Sequence, residues 1–174
     1  MSDLMEFLLR NRENKGVMAT LRRALVENTE MRAWPLLAKF GGIGSSPRAR
    51  AVRTVAGLFA YHPEHCEIGN MGTVCRALCS SEEQPWSSVD EQGKASSPGP
   101  VARKFMYLLS ANREEICERV ARVVLYAKSQ GIRVNYGALE QDLETWPRAR
   151  EAWAGIFWAS PQADDRQNEQ EETA

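Results

Sequence analysis

This chain is short of almost everything from which an active centre is built. Its 174 residues include only two histidines, His62 and His65, and four cysteines, Cys66, Cys75, Cys79 and Cys117. No apolar run approaches the ~20 residues that a bilayer-spanning helix needs, so no membrane partner is expected. The opening MSDLMEFLLRNRENK places acids ahead of its short apolar run and lacks a small-residue cleavage pattern, which makes it a poor secretory signal. Without export, the four cysteines are expected as reduced thiols and the protein in the cytoplasm. A phosphate-cradling loop is missing too: Gly41-Gly42-Ile43-Gly44 has neither the following lysine nor a preceding strand. Strand-like alternation and internal repeats are absent.

Helical periodicity is what remains, and it recurs along the chain. A hydrophobic fraction of 43% is enough for a real core, and the length suits one domain or two small subdomains. Asp3 is placed to cap a first helix over Leu4 to Arg12, and a second runs from about Val17 to Glu27. Trp34-Pro35 starts a third, which Gly41-Gly42 stops. Ser46-Pro47 starts a fourth that ends near Tyr61, and a short helix follows from about Met71 to Cys79. After Pro100, Phe105, Leu108 and Leu109 lead into Ile116, Val120, Val123, Val124 and Ala127, broken by Gly131. Asn135 caps the next helix, and Trp146-Pro147 marks the boundary before the last. The expectation is an all-α, compact helical bundle of about eight to nine helices over residues 1–159, with a subdivision conceivable at the Ser-, Pro- and Gly-rich loop 80–99. Residues 160–174 carry five acids against Arg166, a net of −4, and are expected to be disordered. The plain reading of that tail is a solvated end; the functional one is an acidic mimic competing for basic faces.

Charge is unevenly spread. From Met18 to His62 there are seven basic residues against Glu27 and Glu30, a net of +5, although the whole chain carries −1. At 100° per residue, Arg22 sits at the edge of the second helix's apolar stripe and Arg23 on its far side. In the fourth helix Arg50 lies opposite the apolar face and Arg53 flanks it. Arg103 and Lys104 open a later helix; in the next one Arg119 flanks the stripe and Arg122 stands opposite. Such side chains suit phosphate. The competing reading is a set of ordinary surface charges with i,i+4 partners. That reading is strong for Arg119 and Arg122, beside Glu115 and Glu118, and weaker for Arg22, Arg23, Arg48, Arg50 and Arg53, which lack acids nearby in sequence. No recognition helix, zinc finger or aromatic ribonucleoprotein motif is present, so any binding is expected to be sequence-tolerant and salt-sensitive.

Other chemistry fares poorly. His62, His65, Cys66, Cys75 and Cys79 are the one grouping with metal-ligand residue types, but the spacing is that of neither finger nor ribbon, and Cys75 and Cys79 fit a helix packing thiols inward. Neither Cys66 nor Cys117 lies in a nucleophile signature. Glu82-Glu83 reads as a loop charge and Glu114-Glu115 as a first-turn helix charge. Trp158 points away from the Trp153/Phe157 face and is a candidate partner anchor. No catalytic residue, metal or cofactor is expected.

An ordered set of motifs points further. It comprises Leu21-Arg22-Arg23-Ala24, VAGLFAYHP over 55–63, Asn70-Met71-Gly72 and RKFMYLLSANREE over 103–115, then GIRVNYGALEQDLETW over 131–146, Trp153-Ala154 and Phe157-Trp158. Together they resemble the CasB family, the small subunit of the type I-E CRISPR Cascade surveillance complex. The resemblance covers about residues 18 to 159 and leaves out the 80–99 loop and the tail. It implies a non-enzymatic, all-helical subunit, usually in two copies, that contacts the backbone and large subunits. It also implies a basic surface that holds crRNA paired with target DNA and the displaced strand of the R-loop. The family's basic positions carry over to Arg22 and Arg23, then to Arg103 and Lys104, with Arg113 and Arg122 after them. Arg50, Arg53 and Arg119 come from helix geometry alone. The alternative is a purely structural scaffold whose arginines grip acidic protein surfaces.

Overall fold

The computed structural model describes residues 1–80, 83 and 97–159. In chain order the helices are α1 (Asp3–Asn11), α2 (Lys15–Arg22), α3 (Trp34–Leu37), α4 (Pro47–Tyr61), α5 (Met71–Ala77), α6 (Pro100–Leu109), α7 (Ile116–Ser129), α8 (Tyr136–Glu144) and α9 (Arg150–Trp158). Short 3-10 turns at Arg23–Leu25, Glu30–Arg32 and Ala38–Phe40 join the early ones. Among the described residues there is no strand, only an isolated bridge between His65 and Val134. The all-α expectation holds. The expected disorder of 160–174 and most of the 80–99 loop lie outside the described residues.

Caps written into the sequence set most helix starts. The Ser46 hydroxyl accepts from Ala49 N–H at the start of α4, and Asn135 Oδ1 accepts from Ala138 N–H at the start of α8. Gly41, at φ +81°, closes the turn that ends the α3 region, as its lack of a Cβ allows. Two expectations shift by a few residues. Ser2, not Asp3, caps α1, its hydroxyl accepting from Met5 N–H. The second helix begins after Asn14 and yields to a 3-10 turn at Arg23. A third is corrected outright: Glu83 is no solvated loop charge. Helix α6 opens on Gly99 and Pro100, which bring no capping side chain, and the Glu83 carboxylate accepts from Val101 and Ala102 N–H at 3.2 and 2.8 Å instead.

Helix α4 is the axis. Every residue from Ala51 to Ala60 is buried, the signature of a helix packed on all sides. Helices α1, α2, α7 and α8 and the Arg23–Leu25 turn surround it. Helix α5 packs on α9, and α6 on both α5 and α7. One core joins these parts across the 80–99 segment, from Leu4 and Leu8 through Phe59 and Phe105 to Trp153 and Phe157. The α5–α9 contact is backbone-close: a Cβ on Gly72 would lie 2.1 Å from the Trp153 carbonyl oxygen, so only glycine fits there.

Buried aromatics are tied down by their polar ends. Trp146 Nε1–H donates to the Ala111 carbonyl at 3.0 Å, and the Tyr136 hydroxyl donates to the His62 carbonyl at 2.6 Å. Trp153 Nε1–H donates to Asp142 Oδ2 at 2.6 Å. Burial pushes the Asp142 carboxyl above its ordinary range, and the Trp153 bond only partly offsets it. A carboxyl whose pKa is raised by folding favours the fold when protonated. Its contribution therefore falls as pH climbs from the unfolded value, about 3.9 for Asp, through the folded one. Asp142→Asn keeps an acceptor for Trp153 without the charge. The stability difference between variant and parent should shift in the variant's favour as pH rises across that acid window, read from thermal midpoints at a series of pH values. A pH-independent difference would show that Asp142 is not the group responsible.

Candidate nucleic-acid interface

Packing sorts the predicted cations into those spent inside the fold and those presented outward. Arg53 belongs to the first kind. It is 7% exposed, its Nη1 donates to the Gly42 and Gly44 carbonyls at 2.8 and 2.7 Å, and its Nε lies 3.1 Å from Glu30. Arg53, expected on the flank of α4 as a phosphate ligand, instead has its guanidinium turned inward onto the 41–44 loop and Glu30. Arg48, which has no acid nearby in sequence, pairs with Glu144 at 2.7 Å and with buried Glu140 at 3.6 Å. Arg119 is likewise committed. It bonds the Tyr107 carbonyl, the Ser110 hydroxyl at 2.9 Å and Glu115 at 2.7 Å, so it seals the end of α6 against α7. Arg122 makes the i,i+4 pair with Glu118, both side chains well exposed, an arrangement worth little energy and open to exchange.

The outward cations form two groups on opposite flanks of α7. On the flank facing α4, Cys117 near the start of α7 lies within the field of Arg50 and Arg53 and beside Thr54, while Lys128 near its end lies 6.0 Å from the Tyr61 ring. Arg22 approaches the same ring at 5.6 Å, anchored by Nε–H donation to the Ala60 carbonyl at 2.9 Å, which leaves its terminal amino groups outside that bond. Arg50 and Tyr61 are eleven residues apart on α4, about 16 Å along the axis. Residues 51–60 between them are buried, so this α4–α7 track consists of two cationic ends, half-exposed Arg50 at one and Arg22 with Lys128 at the other, and not of a continuous exposed row. Exposed Arg23 follows on the adjoining 3-10 turn. Lys128 and Tyr61 were not singled out by the sequence reading. The available signal was the eleven-residue spacing of Cys117 and Lys128, which returns a helix to nearly the same face.

The other flank faces α6. Lys104 stands 5.0 Å from the Tyr126 ring centre and Arg119 stacks 3.8 Å from that of Tyr107. With Arg122 they border a cavity of about 280 Å³ between the two helices. Arg103 is exposed nearby, donating to the Pro98 carbonyl at 2.7 Å, and Arg113 is exposed on the turn that links the helices.

The remaining candidates are structural. The His62 ring donates through Nε2 to the Ile132 carbonyl at 2.7 Å. Cys75 is buried in the core, its thiol pushed up to about 12 by desolvation, and Cys79 is pushed up to about 11 for the same reason. Desolvation therefore disfavours the free thiolate that a nucleophile needs at neutral pH. Among the described residues no three His, Cys, Asp or Glu side chains converge on a common point, and no helix is long and apolar enough to cross a membrane. Trp158 is 38% exposed but leans edge-on against Phe105 and Phe157, at 5.4 and 5.2 Å. It is half bound into the bundle.

The described residues form a helical bundle that presents cations beside aromatic rings and buries Cys75 and His62 while leaving His65, Cys66, Cys79 and Cys117 half-buried. The comparisons name the family. Residues 17–158 match the family model for the CRISPR-associated protein Cse2. The chain belongs to the Cse2 family, the Cascade subunit family whose motifs its sequence carries. Solved structures share the fold. CasB from Thermus thermophilus is 21% identical, with a TM-score of 0.66 over 92% of this chain and 100% of that one. A chain of a CRISPR RNA-guided surveillance complex is 19% identical, with a TM-score of 0.67 over 95% and 94%. CasB from Thermobifida fusca is 21% identical, with a TM-score of 0.57 over 88% and 89%. No curated protein matches the chain in sequence.

Proposed function

We propose that this chain is a non-enzymatic, cytoplasmic small subunit of a Cascade surveillance complex, one that steadies the R-loop by holding nucleic-acid backbone. The observation that carries the reading is the α4–α7 track of Arg50, Arg22 and Lys128, with Arg23 beside it, in a chain of the Cse2 family. Arg103, Lys104, Arg113 and Arg122 add a second basic face, with Arg119 holding the two helices that bear it. The partners are crRNA and target DNA, the backbone and large subunits, and a second copy of the chain.

The energetics suit such a role. Replacing a DNA duplex by a guide–target heteroduplex is close to balanced, so modest phosphate contacts decide whether the R-loop persists. Fixed cations supply them without reading bases and give the displaced strand an electrostatic track. A scaffold reading also has an observation behind it: Arg48, Arg53 and Arg119 all spend their charge on carboxylates of this chain. The R-loop itself separates the two. In an assembled complex, Arg22→Glu with Arg23→Glu should shorten R-loop lifetime roughly ten-fold, a loss of ~1.4 kcal/mol, with the subunit still incorporated. An unchanged lifetime would favour the scaffold.

A further inference from the structure

The cavity between α6 and α7 is unlike the α4–α7 track, because its floor is greasy. Leu78, Phe105, Leu108 and Val123 line it, and Tyr107 and Tyr126 stand at its mouth. Those two rings remain 55% and 41% exposed. Exposed rings grouped at the edge of an apolar cavity, and not scattered singly, are the arrangement found at binding surfaces. The rings are also held in place: Arg119 packs on Tyr107, and Lys104 on Tyr126. Rigid rings lose little entropy when a ligand stacks on them.

We infer that this cavity takes an unpaired nucleobase, so that the α6–α7 face grips single-stranded nucleic acid by base as well as by backbone. The inference rests on the nucleic-acid reading above and narrows it to a strand with free bases. The chemistry is complementary at both ends of a nucleotide. The flat face of a base stacks over the apolar floor between the tyrosines with its polar edge toward solvent, while its phosphates meet Lys104 and Arg122 at the rim. At about 280 Å³ the space lies just under the ~300–1,000 Å³ of sites for drug-sized ligands, which suits one ring system rather than a peptide helix. A duplex keeps its bases stacked inside and cannot fill it. Because every base has a π-face, the pocket tolerates any sequence.

Abasic substitution tests this directly. The full chain is titrated with a short single-stranded oligoadenylate and with the same phosphate backbone built from abasic units. The intact strand should bind about five-fold or more tightly, the gain expected from even one stacked base. Tyr107→Ala with Tyr126→Ala should erase that advantage while leaving affinity for the abasic strand in place. The Phe pair, Tyr107→Phe with Tyr126→Phe, should keep the advantage, which guards against a mere loosening of α6 on α7. Equal binding of both strands by the parent chain overturns the base pocket and leaves the backbone reading standing. Binding of neither strand overturns both.

Discussion

Trp153→Ala should cost about 4 kcal/mol of stability, a large share of the ~5–15 kcal/mol typical of a folded domain. The side chain is fully buried, its ring centre lies 4.9 Å from that of Trp146, and its Nε1–H holds Asp142. Truncation opens a cavity where α8 and α9 meet and leaves a half-buried carboxylate without its donor. The adjoining backbone cannot collapse inward freely, because Gly72 already sits against the Trp153 carbonyl. Urea unfolding should show a large fall in midpoint with the slope preserved. A loss below about 1 kcal/mol would mean that the site collapses far better than its packing implies.

Arg53→Ala should destabilise by about 3 kcal/mol and should do so before any effect on binding is seen. The substitution strands the Gly42 and Gly44 carbonyls and leaves Glu30 without its partner. Because Arg53 faces inward, Arg53→Met, which keeps much of the stem but not the bonds, should also lose stability. The measurement is again the unfolding midpoint, paired with oligonucleotide affinity in the fraction that remains folded. A stable Arg53→Ala variant with weakened binding would return Arg53 to the set of phosphate ligands.

The contrast between Arg53 and Arg22 marks where sequence reading stops. Helix starts were legible because a cap is a local device: Ser46 and Asn135 act on residues three positions ahead. The stripe of α7 was legible because its burial repeats with the helical period, whereas α4, expected to show one apolar face, is buried on every side from Ala51 to Ala60 because four helices and a turn surround it. The fate of a guanidinium is set by what the fold brings to it. Arg48 finds Glu144 from 96 positions away, Arg53 finds Glu30 across the 41–44 loop, and Glu83 crosses 18 positions to cap α6. None of these pairings leaves a trace in helical spacing. The same limit hid Lys128, which gains meaning only when α7 lies beside α4 and brings it to Tyr61. Arg119 and Arg122 were easier, since their partners sit one turn away. Sequence motifs supplied the family because they register a whole set of positions at once, but they do not say which arginines the fold consumes.

The central claim is that cations fixed around α4 and α7 hold nucleic-acid phosphates. It is tested most directly by the salt dependence of single-strand affinity, in the parent chain and in Arg22→Glu with Lys128→Glu. Each phosphate neutralised on a single strand contributes ~0.7 to the slope of log affinity against log salt, so losing two contacts should flatten that slope by about 1.4. The two curves should lie about ten-fold or more apart at low salt and converge as salt rises. Parallel curves with an unchanged slope, in a variant whose circular dichroism matches the parent, would contradict the claim.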